Sequence, residues 1–115
     1  MAALADDSCD RATTTPEINE CARSEYQAAD EKLGAVYRAA LERIRLRLAD
    51  AQQGADASKG LIQAQRLWGR FRDQDCGAVY ELWRDGTIRG VMYWACMAER
   101  TEQRMAQLES LAAGE

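Results

Sequence analysis

The sequence predicts an all-α fold: an antiparallel three-helix arrangement with a long first helix, stapled by two disulfides. Three observations carry that prediction. From residue 15 onward the apolar residues recur at intervals of three and four, the spacing of one helix face. Two short polar stretches, 53–59 and 84–90, interrupt the pattern and divide it into three runs. The four cysteines, an even number with no CxxC pair, favour disulfides over zinc ligation. A chain of 115 residues suits one domain. Of its apolar residues 21 are alanines, which bury little area, so covalent staples would help a modest core.

Residues 1–14 are polar and without periodicity, and read as an extended arm carrying Cys9. Within the arm, Ala3-Leu4-Ala5 fits the small-residue rule of a signal peptidase site. It fits an alanine-rich tail behind Met1 equally well. The domain proper is 15–115. Its first helix starts with Thr15 as the cap, Pro16 at the first helical position, and Glu17 and Glu20 at the positive end of the dipole. Ala22, Tyr26, Ala29, Leu33, Val36, Tyr37, Ala40, Leu41, Ile44 and Leu48 share one face, which predicts a helix over about 16–52, ending near Gly54. Arg38, Arg43, Arg45 and Arg47 do not line one face and read as solvated side chains.

Residues 53–59, QGADASK, are the predicted connector, short enough to send the second helix back antiparallel. Asp56 or Ser58 is its expected cap. The second helix spans about 59–84, with Leu61, Ala64, Trp68, Phe71, Val79 and Leu82 on its stripe and Trp83 beside it. Arg72 and Asp75 extend the Trp68 face. A buried charge needs a partner, so Asp73, Asp75 or Glu99 is expected beside Arg72. Asp85-Gly86 signals a turn and Thr87 a cap. The third helix covers about 88–112 and ends before Gly114, with Met92, Ala95, Cys96, Met105, Leu108 and Leu111 facing inward. The core is expected around Trp68, Phe71, Leu33, Val36, Tyr37 and Leu108.

Four cysteines allow three pairings. Cys76 and Cys96 each lie ten residues from Gly86, so an antiparallel hairpin sets them level. Cys21 falls in the second turn of the first helix, within reach of an arm bearing Cys9. The predicted bridges are therefore Cys9–Cys21 and Cys76–Cys96.

Trp68, Phe71, Arg72, Asp73 and Cys76 form a Trp-x-x-aromatic-Arg-Asp-x-x-Cys string that resembles the signature of the lysozyme inhibitor LprI-like family. Two further blocks resemble it. One is Cys9 followed by Glu17-Ile18-Asn19-Glu20-Cys21-Ala22, Tyr26, Asp30, Leu33 and Tyr37. The other is Cys96, Thr101 and Arg104 in the last helix. The resemblance thus covers nearly the whole chain. It departs at DGTIRGVMYWAC, which lacks the family's proline, and at Arg100, where an apolar residue is usual. The resemblance implies a small periplasmic or secreted protein.

The residues exclude much chemistry. There is no histidine, which removes the commonest general base, a common metal ligand and the Ser-His-Asp triad together. No phosphate-binding glycine loop is present. The expectation is a protein that is not an enzyme and takes no cofactor or metal. No stretch approaches the roughly 18 apolar residues of a membrane span.

Net charge is −4, unevenly spread. Residues 1–32 hold eight acids against three bases, and the remainder is nearly neutral. An acidic end argues against nucleic acid and favours a basic partner. With the family resemblance, it points to an exported inhibitor of a basic cell-wall hydrolase of the lysozyme type. The alternative is an envelope interaction module without inhibitory action. The candidate contact residues are Glu17, Glu20, Glu25 and Glu31, with the turn Asp85, Gly86, Thr87, Ile88 and Arg89.

Overall fold

The computed structural model describes residues 7–114, with side chains from Cys9 onward. The Ala3-Leu4-Ala5 site lies outside the described residues. Four helices follow in order: α1 Asp7–Arg11, α2 Thr15–Arg47, α3 Ala51–Leu82 and α4 Arg89–Ala113. The three long ones are those the apolar spacing predicts. The described part of the N-terminal arm is a short helix rather than extended chain.

α2 begins one residue earlier than expected, because Thr14 caps it and not Thr15. The Thr14 hydroxyl accepts from the Glu17 N–H, while Glu17 Oε1 accepts from the N–H groups of Thr13 and Thr14 at 3.0 and 3.1 Å. This reciprocal box requires an acid three residues after the cap, and only Thr14 satisfies that spacing. α2 stops at Arg47, where Leu48 turns extended. Asp50 then caps α3, its Oδ1 accepting from the N–H of Gln52 at 2.8 Å and of Gln53 at 3.2 Å.

So the connector is residues 48–50, and QGADASK forms the first turns of α3 rather than a link. Neither Asp56 nor Ser58 is the cap. Gly54 is no stop: it is buried in helix, where an added Cβ would meet Leu48 at 4.0 Å. At the next turn Ile88 precedes α4 without a side-chain cap, so Thr87 does not serve. Gly114 closes α4 in the left-handed region at φ 86°, which glycine adopts without strain.

The chain runs up, down and up. α3 pairs antiparallel with α4: Gln65 meets Arg104, Arg72 meets Thr101, Asp75 meets Arg100 and Cys76 meets Cys96. α2 and α4 run parallel. Asn19 lies against Gly90 at their starts, Tyr26 stacks on Trp94, and Arg47 donates to the Ala112 carbonyl at their ends. α4 packs more extensively on α2 than on α3. The body measures 55 × 29 × 18 Å, its long axis set by the 33 residues of α2 at about 1.5 Å each.

The core has two apolar clusters. One joins Leu33, Ala40, Ile44, Leu61, Leu108 and Ala112, with Val36, Tyr37 and Trp68 packed on it. The other joins Cys76, Cys96 and Met97, with Tyr26, Val79, Tyr93 and Trp94 packed on it. Burial therefore follows the predicted α2 stripe. Phe71 departs from the expectation: it is 57% exposed and outside the core. Ala64, Leu82, Ala95 and Leu111 are exposed too. α3 has a neighbour mainly on one side, so the outer half of its wide apolar stripe stays in water.

Candidate binding surface and its scaffold

Between the two clusters sits a polar node. Thr101 is fully buried, and its hydroxyl accepts from Arg72 Nη1 at 3.3 Å. Arg72 lies across the joint of all three long helices. Its guanidinium stacks over Trp68 at 5.0 Å and Tyr26 at 5.4 Å, and donates to Asp73 at 3.1 Å and Asp30 at 3.3 Å. One planar fork thus meets two rings and uses its edge as well, which an ammonium cannot do. Burial works against this charge, but Tyr26, Asp73 and Asp30 outweigh it and hold the Arg72 pKa above its ordinary value. Burial also raises the Tyr26 phenol, with Arg72 opposing.

Of the partners expected for Arg72, Asp73 is present and Asp75 and Glu99 are not. Both of those acids bind Arg100 instead, at 2.7 and 2.8 Å. The hydrogen bond to Asp75 is the main reason that the Arg100 pKa is raised. The two unusual features of this region, a charged Arg100 and an inward Asp75, therefore satisfy each other. Arg104 bridges α4 to α3 through Gln65 at 2.9 Å and also reaches Gln107.

The predicted cysteine pairs are both formed. Cys76–Cys96 is buried between α3 and α4, and Cys9–Cys21 ties α1 to α2. Cys9, Cys21 and Glu25 stand close enough to share an ion, but both sulfurs are consumed in the bridge.

Four rings cluster near the α3–α4 turn: Tyr26 on Trp94, Trp94 against Tyr93, and Tyr93 against Tyr80. Arg89 lies 3.8 Å over the Tyr80 ring. The apolar spacing does not predict this chain of rings. Its signal was present in the three-residue step from Tyr26 to Ala29 on one helix and the adjacent Tyr93-Trp94 on another, but the parallel pairing of α2 and α4 was needed to bring them together.

The turn Asp85–Arg89 and the acids Glu17 and Glu20 fall at one end of the molecule, with Glu25 further along α2 and Glu31 at its midpoint. Gly90 fits tightly against Asn19, where an added Cβ would overlap the amide, and this seats the 83–88 turn beside the start of α2. Asp85, Gly86, Thr87 and Ile88 are exposed, with Leu82, Trp83 and Ile18 exposed nearby. Arg89 is half-buried on Tyr80 and does not stand out from the surface. Glu20, Glu25 and Glu31 are exposed on α2, with Glu20 paired to Arg23 at 3.5 Å. Glu17 is exposed as well, but its carboxylate is occupied by the capping box. Those hydrogen bonds from the Thr13 and Thr14 backbone lower its pKa.

A lysozyme inhibitor LprI family model matches residues 5–108. The chain belongs to that family. An uncharacterized protein of Rhizobium meliloti (strain 1021) is 34% identical over 107 residues, covering 90% of this chain and 77% of the relative. No solved structure matches. The motif residues that LprI resemblance singles out, Trp68, Arg72, Asp73, Cys76, Cys96, Thr101 and Arg104, all lie in or beside the node that joins the three helices. Phe71 points to water, and Asp73 is exposed beside it apart from its bond to Arg72. No helix among the described residues is long and apolar enough to cross a membrane.

Proposed function

We propose that this protein is an exported binding protein that inhibits a basic cell-wall hydrolase of the lysozyme type. Membership of the LprI family carries the reading. Its two disulfides suit an oxidising compartment outside the cytoplasm. The hydrolase meets the end of the bundle where the start of α2 adjoins the 83–88 turn. Two features support that surface. The acids Glu20, Glu25 and Glu31 favour a basic partner, and Trp83, Ile88 and Leu82 supply the aromatic and apolar anchors that dominate binding energy at interfaces.

The stapled bundle gives the surface a rigid mount, which limits the ordering penalty on association. Asp85 to Ile88 reach the partner, and Arg89 positions the turn through Tyr80. Glu17 contributes to the cap of α2 and not to the partner contact.

Opposite charge speeds encounter more than it deepens affinity. Surface plasmon resonance against a basic lysozyme should therefore show an association rate that falls as salt rises past about 0.15 M, where the Debye length is about 8 Å. Changing Glu20, Glu25 and Glu31 together to lysine should slow association and leave the helical signal unchanged. A lysis assay on bacterial cell walls should show slower clearing with the wild-type chain. Binding without slower clearing would favour an envelope interaction module. No binding at low salt, or binding indifferent to the three reversals, would end the proposal.

A further inference from the structure

At the other end of the bundle a cleft of about 420 Å³ opens between the end of α2, the first turns of α3 and the last turns of α4. Ile44, Leu48, Leu61 and Leu111 form its apolar walls, and Arg47 and Arg104 are the charged residues that line it. We propose that this cleft binds a single-chain amphipathic anion, an acyl chain ending in a carboxylate. The volume lies within the usual range of small-molecule sites. At about 30 Å³ per heavy-atom-sized volume, 420 Å³ holds about fourteen, enough for a ten-carbon chain with its carboxylate.

The head group follows from the charges. Arg104 is half-buried, and its hydrogen-bond partners, Gln65 and Gln107, are both neutral. Burial lowers its pKa, and no carboxylate offsets that burial. The contrast with the rest of the bundle is direct: Arg72 and Arg100, equally set among helices, each hold two acids. Arg47 donates to the Ala112 carbonyl and forms no ion pair among the described residues, whereas its neighbour Arg45 binds Glu42. Two arginines that line an apolar cleft and form no ion pair among the described residues are complementary to an anion carrying an apolar tail. A forked donor matches a carboxylate in two-point geometry. The site is far from the 83–88 turn along the 55 Å axis, so it can be tested apart from hydrolase binding.

The test is displacement of a dansyl-labelled undecanoate from the full chain. Decanoate should displace it, and decanol should do so at least about tenfold less well, the worth of one charge-assisted contact. Arg104→Met and Arg47→Met should each weaken decanoate by about tenfold while keeping the aliphatic stem. Thermal melts establish that the variants fold, and Arg47, at the exposed rim, is the safer of the two. Trp83→Ala, at the far end, should leave decanoate binding unchanged. Equal displacement by decanol and decanoate would overturn the proposal, as would wild-type affinity in both methionine variants or no displacement by millimolar decanoate. Tighter displacement by decyl phosphate than by decanoate would overturn the carboxylate head group.

Discussion

Arg72 and Phe71 are neighbours in the sequence with opposite fates. The Arg72 side chain is 12% exposed and touches all three long helices, whereas Phe71 is largely in water. Arg72→Ala removes two stacking contacts and leaves the buried Thr101 hydroxyl without its donor, so it should destabilise by about 2–3 kcal/mol. Arg72→Lys should recover less than half of that, because an ammonium cannot stack on two rings and fork to two acids. Phe71→Ser should change stability by no more than about 0.5 kcal/mol. Urea midpoints of the three variants check the set. Sequence spacing placed Trp68, Phe71 and Arg72 on one broad face, and that was correct as geometry. It could not tell the half of the face that meets α2 and α4 from the half that meets water, because the width of a stripe does not say how many neighbours a helix has. Asp30 as a partner of Arg72 was equally hidden, since the two are far apart in sequence and meet only through packing.

The three long helices were legible from apolar periodicity, but their starts were not: Thr14, Asp50 and Ile88 stand where Thr15, Asp56 or Ser58, and Thr87 are expected. The break between α2 and α3 lies at Asp50, a good capping residue, and not at Gly54. Asp50→Ala should therefore weaken the fold by about 1 kcal/mol, whereas Asp56→Ala should have little effect; thermal melts would compare them. At the start of α2 the cap depends on pH. The Glu17 carboxylate is lowered below its ordinary 4.5 by the backbone hydrogen bonds it accepts in the fold. Its contribution is present above pH 4.5 and lost as the pH falls through the folded value. Amide exchange should show the first turn of α2 loosening in that acid window in the wild type, and already loosened at neutral pH in Glu17→Gln. The level pairing of Cys76 and Cys96 about Gly86 was legible because hairpin geometry follows from local chain length. The aromatic chain from Tyr26 to Tyr80 was not, because it depends on which helix lies beside which.

For the molecule as a whole, the two bridges close loops of similar length, 12 and 20 residues, and the chain-entropy argument gives each about 3 kcal/mol. Their positions separate them. Cys76–Cys96 joins two long helices inside the core, so Cys76→Ser with Cys96→Ser should approach the full loss. Cys9–Cys21 holds α1, a single short helix that packs on α2. Without that bridge α1 is free to leave in the folded state as well, so Cys9→Ser with Cys21→Ser should lower stability by less than half as much. Guanidinium titrations would show the difference. The overall three-helix class was readable from periodicity, but the preference of α2 for α4 over its sequence neighbour α3 was not. That preference has a consequence in time. The partner that covers most of the α2 stripe comes after α3 in the chain, so Leu33, Ala40 and Ile44 lack their main cover until α4 packs on them. Assembly of that cluster has to wait for the 25 residues of α4. A chain that stays open until α4 arrives is one that can still be threaded through a narrow pore.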